Sequence, residues 1–85
     1  GERKQALDVC LKALQIRQER LPDQHPDLAI SLSSAGHKYE AMANYQLALK
    51  YFEQALKIRE TFLPKDHPVR KRTERHVMRM RRKLF

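Results

Sequence analysis

The sequence predicts an all-α fold: about four helices folded back on one another as antiparallel hairpins. Three observations lead there. The 85 residues are 41% apolar and 33% charged with only two glycines, a composition rich in helix formers and poor in turn formers. Apolar residues recur at spacings of three and four in four stretches, the first and last parted from their neighbours by prolines and the middle two by the turn at residues 41–44. The chain also repeats itself: residues 5–26 set against residues 47–68, an offset of 42, agree at ten of 22 positions. Ala13-Leu14-x-Ile16-Arg17 answers Ala55-Leu56-x-Ile58-Arg59, and each copy runs on into Leu-Pro-x-x-His-Pro, ending at Pro26 and Pro68. A fixed period of this length marks a stacked repeat array.

The first helix is expected over residues 3–21. Ala6, Leu7, Cys10, Ala13, Leu14 and Arg17 share one face. Cys10 lies on that stripe and reads as a buried structural thiol, since no base or cationic neighbour is implied to activate it. Pro22 stops the helix: it lacks an amide donor and disfavours the α conformation at Leu21.

The second helix starts at His25-Pro26-Asp27. Proline suits the first helical position, and Asp27 meets the positive end of the helix dipole. Leu28, Leu32, Ala35, Gly36 and Tyr39 form its inner face. A glycine within a helix costs about 1 kcal/mol relative to alanine. Gly36 therefore predicts close approach by a neighbouring helix. Residues 41–44 make a short turn, with Asn44 as N-cap of the next helix.

The third helix is expected over residues 45–63, with Tyr45, Ala48, Leu49, Phe52, Ala55, Leu56, Arg59 and Phe62 as its stripe. Alanines alternating with Phe52 let two helices interlock. Pro64 ends it as Pro22 ended the first. The fourth helix covers residues 67–84 on a narrower stripe of Val69, Thr73, Val77, Met80 and Leu84. Short loops make successive helices antiparallel neighbours.

Charge is unevenly placed. Residues 1–68 balance to +1, whereas residues 69–85 carry +7 of the total +8. Arg70, Lys71, Arg72, Arg75, Arg79, Arg81, Arg82 and Lys83 form a basic patch on the fourth helix. It fits an acidic partner: nucleic acid, anionic lipid, an acidic protein tail or calmodulin. It also fits a nuclear localisation signal. The plainer alternative is a solvated outer face, since arginine is a good helix former.

Several chemistries find no residues to carry them. One cysteine allows no internal disulfide and suits a reducing, cytoplasmic compartment, with cytoskeleton, cilium or nucleus also compatible. No apolar run approaches the ~20 residues of a membrane span, and no signal-peptide pattern opens the chain. His37 and His76 read as isolated, and His25 and His67 as parts of helix starts, so no metal site is expected. Ser33 and Ser34 lack a nucleophile elbow, and no glycine loop cradles a phosphate. Neither an enzyme nor a cofactor is expected.

Residues 32–55 resemble a tetratricopeptide repeat, a helix pair that stacks into a superhelix. Leu32, Ala35, Gly36 and Tyr39 stand at the signature positions of its helix A, and Ala48, Phe52 and Ala55 at those of its helix B. The first helix resembles a preceding helix B, with Ala6, Cys10 and Ala13 at the same three positions. The 42-residue period and the Leu-Pro-x-x-His-Pro loop are similar to the kinesin-light-chain-like and nephrocystin-3-like subclass. Ala43 stands where that pattern has a turn glycine. Shifted by 42, Leu32, Gly36 and Tyr39 become Glu74, Met78 and Arg81, so the fourth helix looks like a terminal cap.

The resemblance implies a partial array over residues 1–85. Residues 3–21 are helix B of a preceding repeat, residues 26–63 one complete unit, and residues 67–84 a basic capping helix. Gly1 reads as a cloning remnant and the chain as the C-terminal part of a longer array. The resemblance further implies a non-enzymatic adaptor or scaffold that binds a peptide or partner helix in a groove lined by Ile30, Ser33, His37 and Glu40. The alternative is that Ser33 and His37 are merely solvated. Self-association through the uncovered edge of the first helix is a third expectation.

Overall fold

The computed structural model describes residues 2–20 and 25–85, apart from the side chains at 2, 3, 17, 19 and 20. The helix stop assigned to Pro22, the Leu21-Pro22 part of the first loop and the place of Arg17 on its stripe lie outside the described residues. The described chain is helical: α1 (Glu2–Arg20), α2 (Pro26–Ala41), α3 (Tyr45–Phe62) and α4 (Pro68–Leu84). Each helix packs chiefly on its neighbours in the chain, α2 on α3 most extensively and α1 on α2 least. The result is a slab of 38 × 35 × 17 Å. This is the nearest-neighbour logic of a repeat array.

Equivalent histidines start α2 and α4. The Nδ1 atoms of His25 and His67 accept the backbone N–H groups of Asp27 and Val69, each at 3.1 Å, just before or at the first turn, with proline following the cap. The α2–α3 turn closes with Ala43 N–H on the Glu40 carbonyl and Asn44 N–H on the Tyr39 carbonyl, both 2.9 Å, the paired bonds of a Schellman ending. That ending needs a left-handed residue, and Ala43 supplies it at φ 61°. Asn44 Oδ1 then accepts from Leu47 N–H at 3.4 Å, capping α3 as expected.

Gly36 meets its expectation. A Cβ there would lie 2.8 Å from the Phe52 ring, so α3 reaches α2 only because α2 has no side chain at that point. Phe52, Ala48 and Ala55 are fully buried. One core cluster joins Leu14, Leu28, Ala29, Leu32, Ala55 and Ile58 across α1, α2 and α3. A second joins Ala48, Phe52, Val77 and Met80 across α3 and α4.

Three expectations about the stripes need correction. Ala6 and Ala13 are exposed and Cys10 is only half-buried, its Sγ 4.0 Å from the Ser31 carbonyl. The reason is that α1 packs chiefly on α2, whereas the equivalent positions of α3 lie between α2 and α4. Phe62 is 53% exposed at the far end of α3, and Ile58, one turn earlier and off the expected stripe, is buried in its place. The fourth helix buries Thr73, Val77 and Met80, as its narrow stripe required. At the offset of 42 shared by the two caps, Thr73 and Val77 answer Ser31 and Ala35, which α2 also buries, so α4 keeps the register of α2 at these two positions.

Candidate groove and the charged helix beside it

The four residues expected in the groove follow one another on α2 at spacings of three and four, and only two are open. Ile30 is 57% exposed and His37 is exposed. Ser33 departs from a groove-facing position: it is 9% exposed, and its Oγ accepts from Arg59 Nη1 at 3.1 Å. Glu40 is half-buried and held by α4, accepting from Arg79 Nε and Nη2 at 2.7 and 2.8 Å. Arg79 keeps the Glu40 carboxyl below its ordinary range and Glu40 raises Arg79.

His37 and His76 are not isolated. Their ring centroids are 4.7 Å apart, edge to face, and Phe52 lies 5.0 Å from each. Arg79 Nη2 lies 3.1 Å from His76 Nδ1. A guanidinium only donates, so His76 Nδ1 must accept, and the ring is neutral with its proton on Nε2. Burial first, then the neighbouring His37 and Arg79, push His76 down to about 4. His37 is lowered by burial, against the pull of Glu40. This contact joins α2 to α4 across α3, and nothing in the 42-residue period announces a pairing 39 residues apart.

Arg59 is the site residue that sequence reasoning placed only on a stripe. It is half-buried, and its Nη1 donates to Ser33 Oγ and, at 2.6 Å, to Thr73 Oγ1. Thr73 passes its own proton to the Val69 carbonyl at 2.9 Å. One arginine thus ties α2, α3 and α4 through hydroxyls, and no described carboxylate faces it. Burial and the cation of Arg72 lower it from its ordinary value. Beside it opens a cavity of about 200 Å3 with mostly apolar walls, among them Ile30, Ile58, Phe62, Leu63 and Val69.

The basic patch divides in two. Arg70 donates to the Leu63 carbonyl at 3.1 Å and pairs with Glu74 and Glu60, pinning the α3–α4 loop. Arg79 pairs with Glu40, Arg81 with Glu53 at 3.0 Å, and Lys83 sits 5.4 Å over the Tyr45 ring. Lys71, Arg72, Arg75 and Arg82 are exposed and pair with no described carboxylate.

Among the described residues no group of three or more His, Cys, Asp and Glu side chains could hold a metal ion. No described helix is long and apolar enough to cross a membrane. Antiparallel helix hairpins, a repeat offset and a surface built from side chains of stacked helices define a helical-repeat protein. The tetratricopeptide repeat matches residues 1–61, most of the chain, and the chain belongs to that family. No curated protein matches it. Repeats of this family generally mediate protein–protein interaction, and the family is typically non-enzymatic.

Proposed function

We propose that this chain is a non-enzymatic interaction module of the 42-residue, kinesin-light-chain-like and nephrocystin-3-like subclass. It works as the C-terminal part of a tetratricopeptide array in a cytoplasmic adaptor or scaffold. Its ligand is a peptide or partner helix held on the face shared by α2, α3 and α4. The observation that carries this reading is Arg59: a half-buried cation that no described carboxylate faces, set in the wall of an open apolar cavity. A half-buried charge gains much from an opposite charge, and an apolar cavity from an apolar side chain. The complementary ligand places an apolar residue next to an acidic one.

An array of synthetic peptides tests this. Peptides that join leucine or phenylalanine to aspartate or glutamate should bind, and Ile30→Glu should weaken them about tenfold or more with unchanged melting. Binding indifferent to Ile30→Glu would overturn the reading. Ile30 is the residue to change because it is exposed. A tryptophan at the buried Ser33 would break the packing instead.

A second reading gives α4 an acidic partner of its own. Four cations that pair with no described carboxylate, Lys71, Arg72, Arg75 and Arg82, favour it. Binding by this face should fall steeply with salt. Salt-insensitive binding would remove it.

A further inference from the structure

We propose that the outer face of α4 is a docking seam for an acidic amphipathic helix of a partner protein, with Met78 and Phe85 as its apolar line and Lys71, Arg75 and Arg82 as its cations. This rests on the second reading above and names the partner's class and the residues that meet it. Lys71, Arg75, Met78 and Arg82 follow one another on α4 at spacings of four, three and four, and Phe85, the residue that caps the helix, comes three further on. That is the spacing at which one helix keeps a single line turned toward another along its whole length. The line lies opposite Thr73, Val77 and Met80, the residues that α4 buries against α3.

The face has the composition of half an interface. Met78 is 53% exposed and Phe85 96% exposed. Arg75, Arg79 and Arg82 surround Met78 in a shallow depression. The only acid on α4, Glu74, is held by Arg70. Elsewhere in the fold, α2 lies between two helices, whereas α4 packs chiefly on α3 alone.

Charge and apolarity together select the occupant. A nucleic acid would engage the cations through its phosphates and leave Met78 and Phe85 unmatched. A lipid surface needs a broad apolar face, and α4 has spent Val77 and Met80 on the core. A helix with leucines on one line and glutamates flanking it satisfies both, apolar against Met78 and Phe85 and acidic against Arg75 and Arg82.

Fluorescence anisotropy with the whole chain tests this. One labelled probe is a synthetic helix of about three heptads, leucine at the seam and glutamate beside it. A second replaces the leucines with glutamine and keeps the charge. Duplex DNA and phosphatidylserine vesicles complete the set. The leucine helix should bind about tenfold more tightly than the glutamine helix. Met78→Gln should remove most of that advantage while leaving the melting temperature unchanged, because Met78 is outside the core. Arg75→Gln with Arg82→Gln should weaken both peptides. Equal binding of the two peptides, or preference for DNA or vesicles, would overturn the seam and leave the second reading standing. Failure of every acidic probe to bind would overturn both.

Discussion

At the scale of single residues, two backbone positions carry opposite predictions. Replacing a helical glycine by alanine ordinarily gains about 1 kcal/mol. At Gly36 the new Cβ would meet the Phe52 ring at 2.8 Å, and that ring is fully buried with nowhere to retreat. Gly36→Ala should therefore destabilise by about 1–3 kcal/mol, the usual cost of overpacking. Unfolding by denaturant checks this, and a gain in stability would mean that α2 and α3 do not approach as described. Ala43 is the reverse case. Its φ of 61° is a left-handed conformation that costs an alanine about 1–2 kcal/mol. It is also exposed, so Ala43→Gly should stabilise by about 1 kcal/mol, part of the relief being offset by the freer unfolded chain. Phe52→Ala removes the largest fully buried side chain and should cost about 3–5 kcal/mol, most of the stability of so small a domain. Retained cooperative melting in that variant would contradict the core.

At the scale of elements, the pairing of α2 with α4 predicts a pH dependence. His76 is held neutral in the fold, down to about 4, against an ordinary 6.5. His37 is shifted the same way. Above about pH 6.5 both folded and unfolded chains carry neutral imidazoles, and the stability from this cluster is complete. As pH falls toward 4 the unfolded chain takes up protons that the folded one refuses, so stability falls. Glu40, lowered by Arg79, adds a further loss as its carboxylate is protonated below its ordinary range. Chemical denaturation between pH 7 and 4 should show a progressive fall, and a flat profile would contradict the neutral His76. The helices themselves were legible in the sequence, because proline, the Asn44 cap and the repeat each mark an end. The histidine cluster was not. It depends on α4 crossing α3 so that His76 stacks on the Phe52 ring, a contact between helices that spacing along α4 alone cannot show. Ser33 was misplaced for a related reason: Arg59 reaches it from α3, and helix spacing on α2 alone cannot show that.

At the scale of the whole molecule, the two ends of the slab differ. The outer side of α1 exposes Ala6 and Ala13, with Val9 at 68% and Ile16 at 49% exposure, while α4 ends the slab in cations. The α1 side is where self-association would occur, and we expect sedimentation to show a concentration-dependent dimer that Val9→Glu with Ile16→Glu abolishes. A monomer at every concentration would remove that expectation. Between these ends lies the surface on which the account turns, the cavity beside Arg59.

Backbone amide NMR of the labelled chain, titrated with an acidic–apolar peptide from the array, tests that surface most directly. Shifts should centre on Ile30, Arg59, Phe62, Leu63 and Arg72 and saturate together, with α1 unmoved. Shifts confined to the far face of α3, or none at saturating peptide, would contradict a groove at this site.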